Sequence, residues 1–192
     1  MAFPLNRRLC HGQRLRALSL TSIPRAVTTN YERAFADRPD VFAAWVQLNS
    51  AIKANMDLRR YELATLAAAR RLRSSYCSLM HGRVLLEKFG EPVREIALDR
   101  RAAGLDDVDV AVMDLAEKVV VDATSIDDRD LQPLRDLGLS EPEIMDVVLA
   151  AAARCFFAKT LDGLGVRPDA SLSELDPAVL DVLVVGRPIA DA

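Results

Sequence analysis

Cys77 and His81 stand four residues apart in YCSLMHGRVLLEKF, a stretch whose apolar spacing predicts a helix. A thiol and an imidazole would then share one face, about one turn apart. Ser74 and Ser75 break the preceding segment and supply an N-cap, with the Ser74 side chain placed to accept a backbone N–H bond. Cys77 therefore falls in the first helical turn, where unpaired backbone N–H groups and the helix dipole favour a thiolate, and a nearby imidazole can accept the proton. Glu62 belongs to the segment before. A carboxylate behind His81 would orient the ring and stabilise its charged form, provided the two helices pack antiparallel, as a short connection favours. The chemistry so permitted is nucleophilic attack by sulfur with a proton relay through the imidazole.

Packing alone also accounts for such residues. Free cysteine is among the most buried residue types, and a Cys with a His on one helix is more often core than catalytic. A Glu beside Arg59 and Arg60 is usually a surface ion pair. Spacing therefore leaves both readings open. Of the other cysteines, Cys10 lies in an irregular leader and Cys155 on an apolar helix face, where it reads as core. Three widely separated cysteines argue against a secreted disulfide scaffold and for a reducing cytoplasm. With only His11 and His81, no zinc-ligand spacing, no Walker loop and no dinucleotide fingerprint, neither a metal nor an organic cofactor is expected.

The elements that must hold these side chains are helical throughout. Val41, Ala44, Trp45, Leu48 and Ile52 repeat at helical spacing, and Leu58 to Leu72 is small and apolar at its centre, which predicts a buried helix. Gly90 and Pro92 close the helix that carries Cys77 and His81. A short helix near Val93 to Arg101, a turn at Gly104 and a periodic run from Val108 to Val119 follow. Leu131, Leu134 and Leu137 mark another short helix ending at Gly138. Ser140 with Glu143 then opens a long one through a capping box. That helix offers two apolar faces, one of Ile144, Val147, Val148, Ala151, Cys155 and Ala158, the other of Met145, Leu149, Ala152 and Phe156. The tail from Pro168 reads either as a helix end or as a short strand near Leu180 to Val185. The count is about seven helices, and the fold class is all-α.

Hydrophobic residues make up 51% of the 192 but aromatics only 5%, so Ala, Leu and Val must build the core, as in packed helices. The length suits one domain, from residue 31 to 192. Net charge is −3 with both signs interspersed, which gives no electrostatic footprint for nucleic acid or a membrane surface. No apolar run approaches bilayer-spanning length. Residues 1–30 differ, with Arg7, Arg8, Arg14, Arg16 and Arg25 and no acidic residue before Glu32. An irregular extension is expected there, since Pro4 and Pro24 interrupt any helix; an Arg-rich transit peptide is the alternative.

The segment ELATLAAARRLRSSYCSLMHG, residues 62–82, resembles the core of the alkyl hydroperoxidase D-like and carboxymuconolactone decarboxylase family. Redox-active members carry Glu, eleven residues, Cys, two residues, Cys, three residues, His. Residue by residue, the Glu falls on Glu62, the second Cys on Cys77 and the His on His81, while the first Cys falls on Ser74. The likeness runs from about Phe35 to the Gly186-Arg187-Pro188 tail. It implies a helical bundle that assembles as a homo-oligomer, whether dimer, trimer or hexamer. It also implies a peroxidatic thiol at Cys77, deprotonated through His81 and Glu62.

Ser74 cannot form the resolving disulfide. The resemblance therefore implies a one-cysteine hydroperoxidase, with hydroperoxide as substrate and an external thiol, or movement of another cysteine such as Cys155, for regeneration. Two other functions remain open. One is a decarboxylase-like enzyme acting on a small organic acid or lactone, with His81 and Glu62 moving protons. The other is a family scaffold retained as a binding or assembly module.

Overall fold

The run Leu63, Ala64, Leu66, Ala67 and Ala68 has so little side-chain bulk that a helix built from it can be surrounded on all sides, and this helix is the centre of the molecule. The structure, a computed structural model, describes residues 28–191. The leader arginines and Cys10 lie outside the described residues.

Nine α-helices form among the described residues: α1 (Asn30–Ala34), α2 (Pro39–Lys53), α3 (Leu58–Arg71), α4 (Ser75–Phe89), α5 (Val93–Asp99), α6 (Asp107–Asp122), α7 (Asp128–Asp136), α8 (Glu141–Gly163) and α9 (Pro177–Leu183). Two short 3₁₀ turns, Ala123–Ser125 and Ala170–Glu174, complete them, with no strand among the described residues. The fold is all-α, and seven of the helices are those the apolar periodicity marks. The two further ones are α1, five residues capped by Thr29, and α9, which decides the tail in favour of helix.

Central α3 packs against α4, α6 and α8, while α6 also packs on α8 and α9 closes over α4 and α5. Asp57 starts α3 by accepting the Arg60 amide at 2.9 Å, and Asp106 starts α6 in the same way through the Asp109 amide. Asp109, wholly buried, takes the guanidinium groups of Arg59 and Arg60 and so ties α3 to α6. Arg59 and Arg60 are thereby turned away from Glu62.

The connection between α3 and α4 is three residues, Leu72 to Ser74. It reverses the chain because Arg73 takes a left-handed φ of 58° and the Ser74 amide reaches back to the Ala69 carbonyl. The tail then crosses this corner. The Gly186 amide donates to Ser75 Oγ at 2.8 Å, and a Cβ at Gly186 would sit 2.0 Å from the Arg73 carbonyl oxygen, so only glycine permits the approach. The first turn of α4 is thus held from both sides.

The long α8 buries Ala150, Ala153, Arg154 and Phe157 as its second inward face. Met145, Leu149 and Phe156, expected to form that face, are exposed, and Cys155 is half-buried. The reason is geometric. The helix is covered by α3 and α6 on one side and by α2 on the next, which leaves Met145 and Leu149 exposed and gives Phe156 only a partial cover from Trp45 of α2.

Candidate active site

Ser74 stands at the N-cap of α4, and Cys77 is the third helical residue, in the first turn. The expected Ser74 cap is absent. Its buried hydroxyl makes no hydrogen bond, and the corner is held by backbone bonds instead. Cys77 is 2% exposed and His81 lies one turn further on the same face.

Glu62, from α3, meets His81. Its Oε2 lies 2.5 Å from His81 Nδ1, and its Oε1 lies 3.4 Å from Lys53 Nζ, which reaches over from α2. Burial pushes the Glu62 carboxyl up, but the His81 hydrogen bond and the Lys53 charge outweigh it and hold the group below the usual range. His81 moves the other way from the sequence expectation. Desolvation, with the positive charge of Arg154 nearby, outweighs the Glu62 contact and pushes the imidazole down to about 4. The pair is therefore a carboxylate and a neutral imidazole. Since a carboxylate only accepts, Nδ1 carries the proton, and Nε2 is left with a free lone pair.

Cys77 Sγ finds its polar partner in Arg154 rather than His81: Nη1 of Arg154 lies 3.8 Å away. Arg154 is 4% exposed, its Nη2 donates to Tyr61 Oη at 3.0 Å, and Tyr61 Oη in turn donates to Asn49 Oδ1 at 2.6 Å. The guanidinium lies over the rings of Trp45 and Phe157, 5.6 and 5.7 Å from their centroids.

Glu62, Cys77, His81, Lys53, Tyr61 and Arg154 all line one cavity of about 320 Å³, whose apolar walls come from Trp45, Phe42, Met80 and Phe157. Ser74 and Cys155 are not in its lining. The arrangement can hold a small organic molecule beside a sulfur nucleophile, a general base and a buried cation. No cluster of three or more His, Cys, Asp or Glu suited to a metal ion occurs among the described residues.

Sequence reasoning did not find Arg154, Lys53, Tyr61 or Asn49. Arg154 did leave a signal, being the single charged residue in the apolar run from Val147 to Ala158. A lone cation on a helix otherwise built for burial calls for a functional explanation.

Compared with solved structures, the fold is that of an alkylhydroperoxidase core. A protein from Ralstonia eutropha JMP134, described as an alkylhydroperoxidase AhpD core and an uncharacterized peroxidase-related protein, superposes with a TM-score of 0.68 at 20% identity, covering 83% of each chain. An uncharacterized peroxidase-related protein from Silicibacter sp. TM1040 gives a TM-score of 0.70 at 18% identity, over 76% of this chain and 79% of that one. No curated protein sequence matches the chain. The sequence profile of the carboxymuconolactone decarboxylase family matches residues 39–118, which hold Glu62, Cys77 and His81. Residues 39–118 thus resemble the carboxymuconolactone decarboxylase family, and the chain shares the fold of the alkylhydroperoxidase core.

Proposed function

We propose that the protein is a thiol-dependent hydroperoxidase that works through one cysteine, Cys77, with His81 and Glu62 as its proton relay. The observation that carries this reading is the convergence of the three on one cavity, with the carboxylate on one imidazole nitrogen and the other nitrogen left as a base. Peroxide reduction needs a sulfur nucleophile, a proton acceptor for the thiol and a proton donor for the leaving oxygen. A neutral His81 can serve in turn as both.

The thiol proton passes to His81 Nε2, and the sulfur electron pair attacks the terminal oxygen of the hydroperoxide. An S–O bond forms as the O–O bond breaks. Sulfur is oxidised to the sulfenic acid, and the peroxide is reduced to an alkoxide that takes the proton back from His81 and leaves as the alcohol. An external thiol then condenses with the sulfenic acid, releasing water. A second thiol attacks the mixed disulfide and restores Cys77. Ser74 cannot resolve the sulfenic acid, and Cys155 lies outside the cavity, so the reductant comes from solution. No metal or organic cofactor takes part. We place this activity in the reducing cytoplasm and in a homo-oligomer; the exposed Met145, Leu149 and Phe156 stripe supports self-association.

One observation favours a second reading. A buried Arg154 without a carboxylate partner, beside a neutral imidazole, would also suit proton transfer on a small organic acid, in the manner of a decarboxylase. Cys77→Ser separates the two. Hydroperoxide consumption coupled to a small thiol should fall to background in Cys77→Ser and by at least about tenfold in His81→Asn. Turnover of an organic acid that survives Cys77→Ser and dies with His81→Asn would replace the peroxidase reading with the second.

A further inference from the structure

Arg154 is a cation sealed into the aromatic end of the molecule with no carboxylate within ion-pairing distance among the described residues. A guanidinium stays protonated wherever it is buried, and a buried charge left without an opposite one is strongly disfavoured. The fold therefore requires an anion at this point. The other ionisable groups around the cavity do not supply it. Lys53 from α2 and Glu62 from α3 offset one another, and His81 from α4 is neutral. The phenols of Tyr61 and Tyr76 keep their protons, which they donate to Asn49 and Asp169. What remains within reach of the guanidinium is the sulfur of Cys77.

We infer that Arg154 is the counter-ion of a Cys77 thiolate, and that Tyr61 is the positioning residue that aims it. This deepens the peroxidase reading and rests on Cys77 being the reactive group of that cavity. Arg154 lies on α8, beyond residues 39–118, so it adds to the Glu62, Cys77 and His81 frame a group from outside the matched segment. The geometry explains the division of labour. Nη2 is spent on Tyr61, the rings of Trp45 and Phe157 carry the flat face, and Nη1 is thereby pointed at the sulfur. As the thiol proton passes to His81 Nε2, the S–H bond parts heterolytically and the electron pair kept on sulfur is met by the Arg154 guanidinium. The sulfenic acid formed on oxidation is neutral, so the ion pair opens in that step and re-forms when an external thiol returns the sulfur to its anionic form.

The test reads the thiolate without reading peroxide turnover, so it can succeed or fail independently of the proposed activity. The full chain is alkylated with iodoacetamide across pH 4 to about 10, and labelling at each cysteine is followed by peptide mass spectrometry. In Arg154→Met the midpoint for Cys77 should move up by at least about one pH unit, a tenfold loss of rate at a fixed pH below it. Arg154→Lys should restore part of the shift. Tyr61→Phe, which leaves the charge but frees the guanidinium, should give a smaller shift of the same sign. Superimposable profiles in wild type and folded Arg154→Met would overturn the inference. If Arg154→Met does not fold, Tyr61→Phe decides, and an unmoved midpoint there overturns it. Benzoate protecting wild-type Cys77 from alkylation, with Arg154→Met unshifted, would also overturn it by assigning the guanidinium to a substrate carboxylate.

Discussion

The two ends of the molecule are built from the same helices for opposite purposes. At one end, Leu63, Leu66, Leu79, Leu85, Val112, Leu115 and Leu183 fill the space between α3, α4, α6 and α9 with aliphatic groups, and the one buried carboxylate, Asp109, is met by two arginines. At the other, Phe35, Trp45, Tyr61, Tyr76 and Phe157 stack around a cavity, and Glu62, Cys77 and Arg154 are buried beside it. Rings pack at fixed angles and leave gaps that branched aliphatic chains fill, so the aromatic end can be both walled and hollow. The lesson is that α3 and α4 each carry a stabilising face and a chemical face, set by a rotation of about 100° per residue.

The largest test of that division is Leu66→Ala. Leu66 is wholly buried at the aliphatic end, and its truncation should cost about 2–5 kcal/mol, lowering Tm by roughly 4–20 °C in a chain of this size. Turnover per folded molecule should hold, because no wall of the cavity is touched. Thermal melts and active-site titration on one preparation check both. Loss of turnover at an unchanged Tm would break the comparison between the two ends.

Different physical signals carried different amounts of this structure into the sequence. Helix positions were legible because the apolar period and the caps are local: Ser140 with Glu143, Gly90 and Gly138 each mark an end by their own chemistry. Glu62, Cys77 and His81 were legible through two constraints, an i, i+4 spacing and a short connection that forces α3 and α4 antiparallel. Lys53 and Arg154 were not. Arg154 lies on α8, 93 residues beyond Tyr61, and Lys53, though only nine residues before Glu62, comes from a helix whose angle to α3 no local pattern encodes. The same gap explains the exposed Met145, Leu149 and Phe156 stripe. Periodicity shows that a face is apolar, but not which of two apolar faces a neighbour will cover. The neutral state of His81 was hidden for the same reason, since its desolvation and the Arg154 charge are both tertiary.

Acid should sharpen the comparison at the aromatic end. An unfolded chain protonates His81 near 6.5, whereas the folded one holds it down to about 4, so between these values only the unfolded state binds that proton. Stability from this group is complete above 6.5 and is lost as pH falls through the window, on the order of 2 kcal/mol between pH 7 and 5. Glu62, whose carboxyl is held low, adds a loss of the same sign further into acid, as pH falls through its folded value. Tm should therefore drop by roughly 4–8 °C from pH 7 to 5. The slope should be visibly shallower in His81→Asn and unchanged in Leu66→Ala, and an identical slope in His81→Asn would mean that the imidazole is not buried neutral.

The smallest effect falls on the seam between the ends. Ser78 is wholly buried one turn after Ser74 on α4, and its hydroxyl has no hydrogen-bond partner. A buried hydroxyl without a partner costs about 1–3 kcal/mol of desolvation, and alanine removes that cost while leaving a void smaller than a water. The two terms nearly offset, so Ser78→Ala should lie between neutral and about 1 kcal/mol stabilising in a denaturant titration. A loss above about 1 kcal/mol together with slower alkylation of Cys77 would show that the hydroxyl finds its acceptor in the thiolate, moving Ser78 from the structural side of the comparison to the chemical one.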